Sequence, residues 1–338
     1  MKTLFIFIIL NINLFGDITL KIATYNIENL FDLKKSGREY NEYIPNTASN
    51  WNHKTYKTKL DNISRVIKEI NADIIALQEI ESKQALKDLR FTLKQKGLYY
   101  QYFQIADKKN TTTKVAILSK IPFLYTKEIA VTSSYKYRNI LEAKFKINNQ
   151  DLYIFINHWK AKSGPESMRI IAAKELKKRV NTIGQDKNII ILGDFNSDYQ
   201  EYIKFKRKRK HNNTNGKTGL NHVLHTKDQT MEASKVKYRG NNFYNLWYDT
   251  QEDARFSYIF RGKKEALDNI LISQSLLEQK NIYYKYNSIN AYTPDYLFKG
   301  KRIYRWQTTR NKPPKHKGKG YSDHLAIMAN FIVKKYNK

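Results

Sequence analysis

The sequence contains no cysteine, so no disulfide can brace the chain and no thiolate can serve as nucleophile or metal ligand. Acids are scarce: 31 Asp and Glu stand against 61 Lys and Arg, a formal charge of +30. A surplus of that size fits a polyanionic partner or an anionic surface. Abundant Lys, Asn, Ile and Tyr also point to a compositional bias that raises Lys without selection for binding, but such a bias leaves the shortage of acids unexplained. No apolar run reaches the roughly 20 residues of a membrane-spanning helix. The short run in residues 1–16, MKTLFIFIILNINLFG, follows a single Lys and reads as a signal peptide, with a buried first strand as the alternative. The expectation is therefore an exported chain, periplasmic or secreted, whose residues 17–338 form one soluble, monomeric catalytic domain without stable membrane insertion. No internal repeat is visible.

What the sequence does contain is a series of short apolar runs that end in polar residues. Thr19 to Tyr25 alternates like a strand and leads into Asn26-Ile27-Glu28-Asn29. Leu60, Ile63, Val66, Ile67 and Ile70 recur at helical spacing, and the run Ile74 to Leu77 then stops at Gln78-Glu79. Leu152 to Ile156 runs into Asn157-His158-Trp159. A helix is expected from about Pro165, with Met168, Ile171, Ala172 and Leu176 on one face. Ile189 to Leu192 then ends in Gly193-Asp194-Phe195-Asn196. Val115 to Leu118, Ile140 to Phe145, Leu267 to Ser273 and Asp323 to Phe331 complete the strand-like pieces. Two basic stretches, 200–242 and 295–320, read as exposed loops, the second held near the site.

Strand ends that converge on one edge of a sheet are where α/β architectures keep their active sites. Glu79, Asp194, Asp268 and Asp323, with His158 and His324, occupy such ends. Singly, each is better explained as a surface acid, a cap or a structural histidine. Together they supply what phosphodiester hydrolysis needs: oxygen ligands for a hard cation, an activated water and a proton for the leaving oxygen.

The segments KIATYNIENL, ALQEIES, INHWKAKSG, ILGDFNSD, LDNILIS and YSDHLAI, in that order, resemble the conserved blocks of the endonuclease/exonuclease/phosphatase family, which includes deoxyribonuclease I-like enzymes. They run from about residue 21 to 331. The resemblance implies a four-layer α/β/β/α sandwich of two mainly antiparallel sheets flanked by helices, and an Mg²⁺-dependent phosphodiesterase in which Mn²⁺ can substitute. By position it implies Asn26, Glu79 and Asp323 at the metal, with Glu28 as a further candidate. His158 would contact the scissile phosphate, Asp194 and Asn196 would orient water and phosphate, and Asp268 would pair with His324, which works on the phosphate beside His158. Arg138 resembles a phosphate-contacting arginine, with a solvated surface role as the alternative. One departure stands out: where some members place a Glu partner for the first histidine, TTTKVAILSK offers Lys114 instead, leaving the partner of His158 open. Spacing does not decide between one ion and two.

Family members hydrolyse DNA, RNA, abasic-site DNA, inositol phosphates or sphingomyelin, so the substrate must be argued from the surface. The basic loops, interleaved with Tyr202, Phe205, Tyr304 and Trp306, suit a phosphate backbone and stacked bases. The expectation is a DNA endonuclease. The alternatives are an exported sphingomyelinase-like lipid phosphodiesterase, for which no exposed apolar hairpin stands out, a cytoplasmic abasic-site endonuclease if residues 1–16 are not a signal, and a non-catalytic binding module.

Overall fold

Two strand–helix–strand units organise the structure, a computed structural model in which residues 16–184, 186–205, 211–227 and 242–335 are described. The expected signal peptide, apart from Gly16, lies outside the described residues, as does much of the 200–242 stretch. In chain order the first half comprises β1 (Ile18–Leu30), α1 (His53–Ile70), β2 (Ile74–Ile80), α2 (Lys83–Gln95), β3 (Tyr102–Ile105), β4 (Lys114–Ser119), β5 (Phe123–Ile129) and β6 (Ile140–Ile147). Then follow β7 (Gln150–His158), α3 (Glu166–Ile183), β8 (Asn188–Asp194), β9 (Tyr244–Asn245), β10 (Tyr258–Phe260), β11 (Lys263–Glu265) and β12 (Asp268–Ile272). The chain closes with β13 (Ile282–Tyr284), β14 (Asn290–Ala291), β15 (Phe298–Lys299), β16 (Arg302–Ile303) and β17 (Ile327–Val333).

The first sheet runs β13-β17-β1-β2-β4-β3, with β14 also on β17; the second runs β5-β6-β7-β8-β12-β9. β1–β2 and β7–β8 are parallel, and each parallel pair is bridged by a helix, as a parallel connection requires. The main pairs around them are antiparallel, so the expected arrangement of two mainly antiparallel sheets flanked by helices holds.

Because both faces of each sheet are covered, the central strands read as continuous apolar runs. Ile22, Ile74, Ile154, Ile190 and Ile270 fill the space between the sheets. Their neighbours Ala23, Ile75 and Leu77 face the other way, against Ile63, Ile67, Leu86 and Leu89 of α1 and α2. Ala172, Leu176 and Val180 of α3 cover Phe155 and Ile191 of the second sheet. Ile171, expected on that buried face, is 37% exposed. A reciprocal cap between Asn52 and Thr55 starts α1, and Asn71, in the left-handed region at φ 49°, ends it.

Three expectations need correction. Residues 211–227 are not a free loop: His211 and Gly219 bond to α3 residues, and Leu220 and Leu224 are buried against it. Phe205 and Trp306, expected as exposed stacking surfaces, are core residues at 6% and 3% exposure; in short loops against a large core, apolar burial outweighs availability to a ligand. Asp323 and His324 lie before β17, which begins at Ile327, and His324 pairs by an isolated bridge with Tyr258.

Candidate active site

Local backbone irregularities turn the functional side chains into one cleft. β1 loses register against β2 between Asn26 and Leu30, and β2 loses register against β4 between Gln78 and Ile80. Glu28, Asn29 and Glu79 take φ of 50°, 61° and 68°. Such bulges re-aim a side chain that plain alternation would bury, and Glu79 lines the cleft. In the second sheet Gly193 has φ +131°, and a Cβ there would lie 2.1 Å from the carbonyl oxygen of Asn157. The glycine lets β8 close on β7, setting His158 opposite Asp194, while Asp194 is opposite Asp268 on β12. Three neighbouring strands thus deliver a histidine and two acids side by side.

Asp194 is the hub. Its Oδ1 accepts from the backbone N–H of Asn196 at 2.8 Å; its Oδ2 accepts from Asn26 Nδ2 at 3.0 Å and Asn196 Nδ2 at 3.2 Å. His158 Nε2 lies 3.5 Å and His324 Nε2 3.9 Å from that same Oδ2. Asn26 Nδ2 also donates to Glu79 Oε1 at 3.2 Å, and His158 Nε2 is 3.8 Å from it. His324 Nδ1 contacts Asp268 Oδ2 at 2.7 Å. Ser322 stitches the last segment in, donating to the Asn26 carbonyl at 2.6 Å and accepting from the His324 backbone N–H at 3.1 Å. The cleft has a volume of about 1250 Å³, and Arg138, Tyr40, Tyr258, Phe260, Lys263 and Lys264 stand on its walls.

The electrostatics separate the two histidines. Burial pulls His158 well below the ordinary imidazole value, and Arg138 and His324 push it further down. Its Nδ1 is buried without a hydrogen-bond partner among the described residues, so the position left open by Lys114 holds no carboxylate for it. Burial also opposes charge on His324, but Asp268 and Asp194 outweigh it and hold this ring well above the ordinary value. Burial lifts the Asp194 carboxyl above the usual carboxylate range, against the pull of His324. Glu79 is raised by burial and then by Asp323.

Asp323 raises the buried Glu79 carboxyl, and a hard divalent cation would relieve that repulsion; the Asn26 amide oxygen, which accepts from the Glu28 backbone N–H at 3.0 Å, keeps a second lone pair to complete an oxygen donor set. Asn26, Glu79 and Asp323 therefore fit such an ion. Asp194, Asp268 and His324 also offer three ligand atoms within 4.8 Å of one another and could hold a metal ion, with Asp268 Oδ2 already engaged by His324 Nδ1 at 2.7 Å.

Glu28 stands apart from the other metal candidates. Its carboxylate accepts from Arg305 Nε at 2.8 Å, from a second Arg305 nitrogen, and from the Trp306 backbone N–H at 3.0 Å. Burial and Asp323 still push it up to about 7. Beneath it, the ammonium of the buried Lys59 donates to the Tyr321 carbonyl at 2.8 Å; burial lowers this lysine to about 8, offset in part by Glu28 and Asp323. Lys59 and Arg305 were not singled out in the sequence. Lys59 had a signal, since it lies three residues after buried Tyr56 and four before buried Ile63 on α1. Arg305 had none, because its partner is 277 residues away. Arg138 donates to the carbonyl and hydroxyl of Thr113, both at 3.1 Å, and faces the cleft.

Residues 21–229 and 212–334 match the Endonuclease/Exonuclease/phosphatase family. Among solved structures, TDP2 from Caenorhabditis elegans aligns at TM-score 0.56 and 16% identity, over 93% of this chain and 75% of that one. TDP2 from Danio rerio, complexed with single-strand DNA product, aligns at 0.56 and 13%, over 93% and 98%. The mannosyl-6-phosphatase Bt3783 of Bacteroides thetaiotaomicron VPI-5482 aligns at 0.55 and 13%, over 92% and 99%. At these identities the likeness is one of fold. No curated protein sequence matches the chain.

Proposed function

Because the chain belongs to the endonuclease/exonuclease/phosphatase family, we propose that it is an exported, divalent-metal-dependent phosphodiester hydrolase that cuts the backbone of nucleic acid, DNA in particular. The observation that carries this reading is the convergence on Asp194 Oδ2 of Asn26, Asn196, His158 and His324, inside a cleft that also holds Glu79, Asp323 and Arg138.

The residues divide the work by protonation state. Asp194, oriented by Asn196 and Asn26, accepts the proton of the attacking water, and its raised affinity for protons suits that task near neutral pH. His324, kept cationic by Asp268, faces the phosphate and returns a proton to the leaving oxygen. Neutral His158 donates a hydrogen bond from Nε2, and Arg138 offers its guanidinium to a phosphate oxygen. Held by Asn26, Glu79 and Asp323, Mg²⁺ or Mn²⁺ would neutralise charge on a phosphoryl oxygen.

The charge of +30 and the cations Arg138, Lys263 and Lys264 at the cleft support a polyanionic substrate. The Danio rerio neighbour's complex with single-strand DNA product supports nucleic acid on this fold. A lipid phosphodiesterase is the second reading, favoured by one feature: Phe260, at the end of the β10–β11 hairpin, is 52% exposed beside Arg261 and Lys263. Among the described residues no helix is long and apolar enough to cross a membrane.

A substrate panel with Mg²⁺ separates these readings: plasmid DNA, single-stranded DNA, RNA, mannose 6-phosphate and sphingomyelin vesicles. Turnover of DNA well above the rest is expected. Hydrolysis confined to vesicles or to the sugar phosphate contradicts the nucleic-acid reading. Export is tested by sequencing the N-terminus of the protein from the periplasm or medium, where a start near Asp17 is expected and retention of residues 1–16 on cytoplasmic protein is the contrary result.

A further inference from the structure

The acidic side of the cleft is shared by three carboxylates, Glu79, Asp323 and Glu28, with Asp323 acting electrostatically on both of the others. Glu79 faces the cleft, but both oxygens of Glu28 are already taken. Oε1 accepts from two nitrogens of Arg305, and Oε2 from the Trp306 backbone N–H. The same terminal nitrogen of Arg305 lies 3.3 Å from Asp323 Oδ2. One guanidinium thus spans the Glu28–Asp323 edge and engages carboxylate oxygens that could otherwise serve a second divalent ion as ligands.

The backbone around Arg305 is held in that place. The Tyr321 N–H donates to the Tyr304 carbonyl at 2.8 Å, and Lys59 fixes the Tyr321 carbonyl from below. Gly320, at φ +91°, allows the close approach: a Cβ there would lie 1.9 Å from the Arg305 carbonyl oxygen. A planar cation whose fork matches carboxylate geometry binds such a pair with direction as well as charge.

We propose that Arg305 is a built-in cation that occupies the Glu28–Asp323 edge and so limits the site to a single divalent ion, held at Asn26, Glu79 and Asp323. The inference rests on the metal-dependent reading above and adds the number of ions and the residue that sets it. Removing the guanidinium leaves the buried Glu28 and the half-buried Asp323 facing one another, and a second ion takes its place.

Counting bound Mn²⁺ on the purified full chain, by equilibrium dialysis with electron paramagnetic resonance of the free ion, tests this without reference to turnover. One ion per chain is expected for the wild type and for Arg305→Lys, and two for Arg305→Ala. In the double variant Arg305→Ala/Glu28→Gln the count returns to one. Two ions in the wild type, or one in Arg305→Ala with the wild-type near-ultraviolet circular dichroism spectrum, overturns the inference and leaves metal dependence intact. If Arg305→Ala does not fold, the wild-type count and the Arg305→Lys count still decide: two ions on either overturns it. No ion bound by the wild type contradicts the metal-dependent reading itself.

Discussion

Asp268 and His324 join the two sheets at the site: Asp268 opens β12 in the second sheet, His324 precedes β17 in the first, and their side chains meet at 2.7 Å. Since Asp268 is fully buried and His324 nearly so, the pair fixes both the position and the charge of the imidazole. Asp268→Asn keeps the shape and removes the charge. The expected result is a fall in kcat of about 10²–10⁴-fold, with the alkaline limb of the pH–rate profile moved to lower pH. An unchanged alkaline limb contradicts the assignment.

The pH dependence follows from two shifts of opposite consequence. Asp194 must be ionised to accept a proton, and its affinity for protons is raised by burial above the ordinary value of 3.8. Activity is therefore lost as pH falls through a limb that lies above the usual carboxylate range. His324 must be protonated, and its carboxylate neighbours hold it well above 6.5, so activity is lost on the other side only as pH rises through that higher value. A profile of kcat against pH whose acid limb sits near 4 contradicts the role of Asp194.

Gly193 is a backbone requirement. With φ +131° and the Asn157 carbonyl oxygen 2.1 Å from any Cβ, Gly193→Ala forces β7 and β8 apart. The expected cost is roughly 2–4 kcal/mol, read as a lower midpoint in urea. A wild-type midpoint for this variant contradicts the strand pairing that sets His158 beside Asp194.

Arg138 donates twice to Thr113 and reaches the cleft wall, so it is pre-oriented for a phosphate oxygen. Arg138→Ala is expected to raise KM for DNA about tenfold, with a smaller rise for Arg138→Lys, which keeps charge but not the fork. An unchanged KM for both variants assigns the arginine to structure alone.

The site residues were legible in the sequence because each lies beside a short apolar run, at or just past its end for Asn26, Glu79, His158, Asp194 and Asn196 and before it for Asp268, Asp323 and His324. Asn26, Glu79, His158, Asp194, Asn196, Asp268, Asp323 and His324 all reach one locality in that way. Glu28 read as equivalent to them, and only the fold reveals Arg305 and the Trp306 N–H on its carboxylate. Aromatic residues in basic stretches were misleading for a related reason. Trp306 and Phe205 look available beside lysines, yet the core takes them. The bulges that redirect Glu79 and Glu28 carry no glycine or proline to mark them, since Glu28, Asn29 and Glu79 themselves adopt positive φ.

The most direct test is nicking of supercoiled plasmid by the purified chain with Mg²⁺ and with EDTA, beside His158→Ala and Asp194→Ala. Nicking that needs the metal and is lost in both variants, each with the wild-type circular dichroism spectrum, is the predicted result. Nicking that survives EDTA, or persists at the wild-type rate in either variant, contradicts a metal-dependent nuclease centred on Asp194.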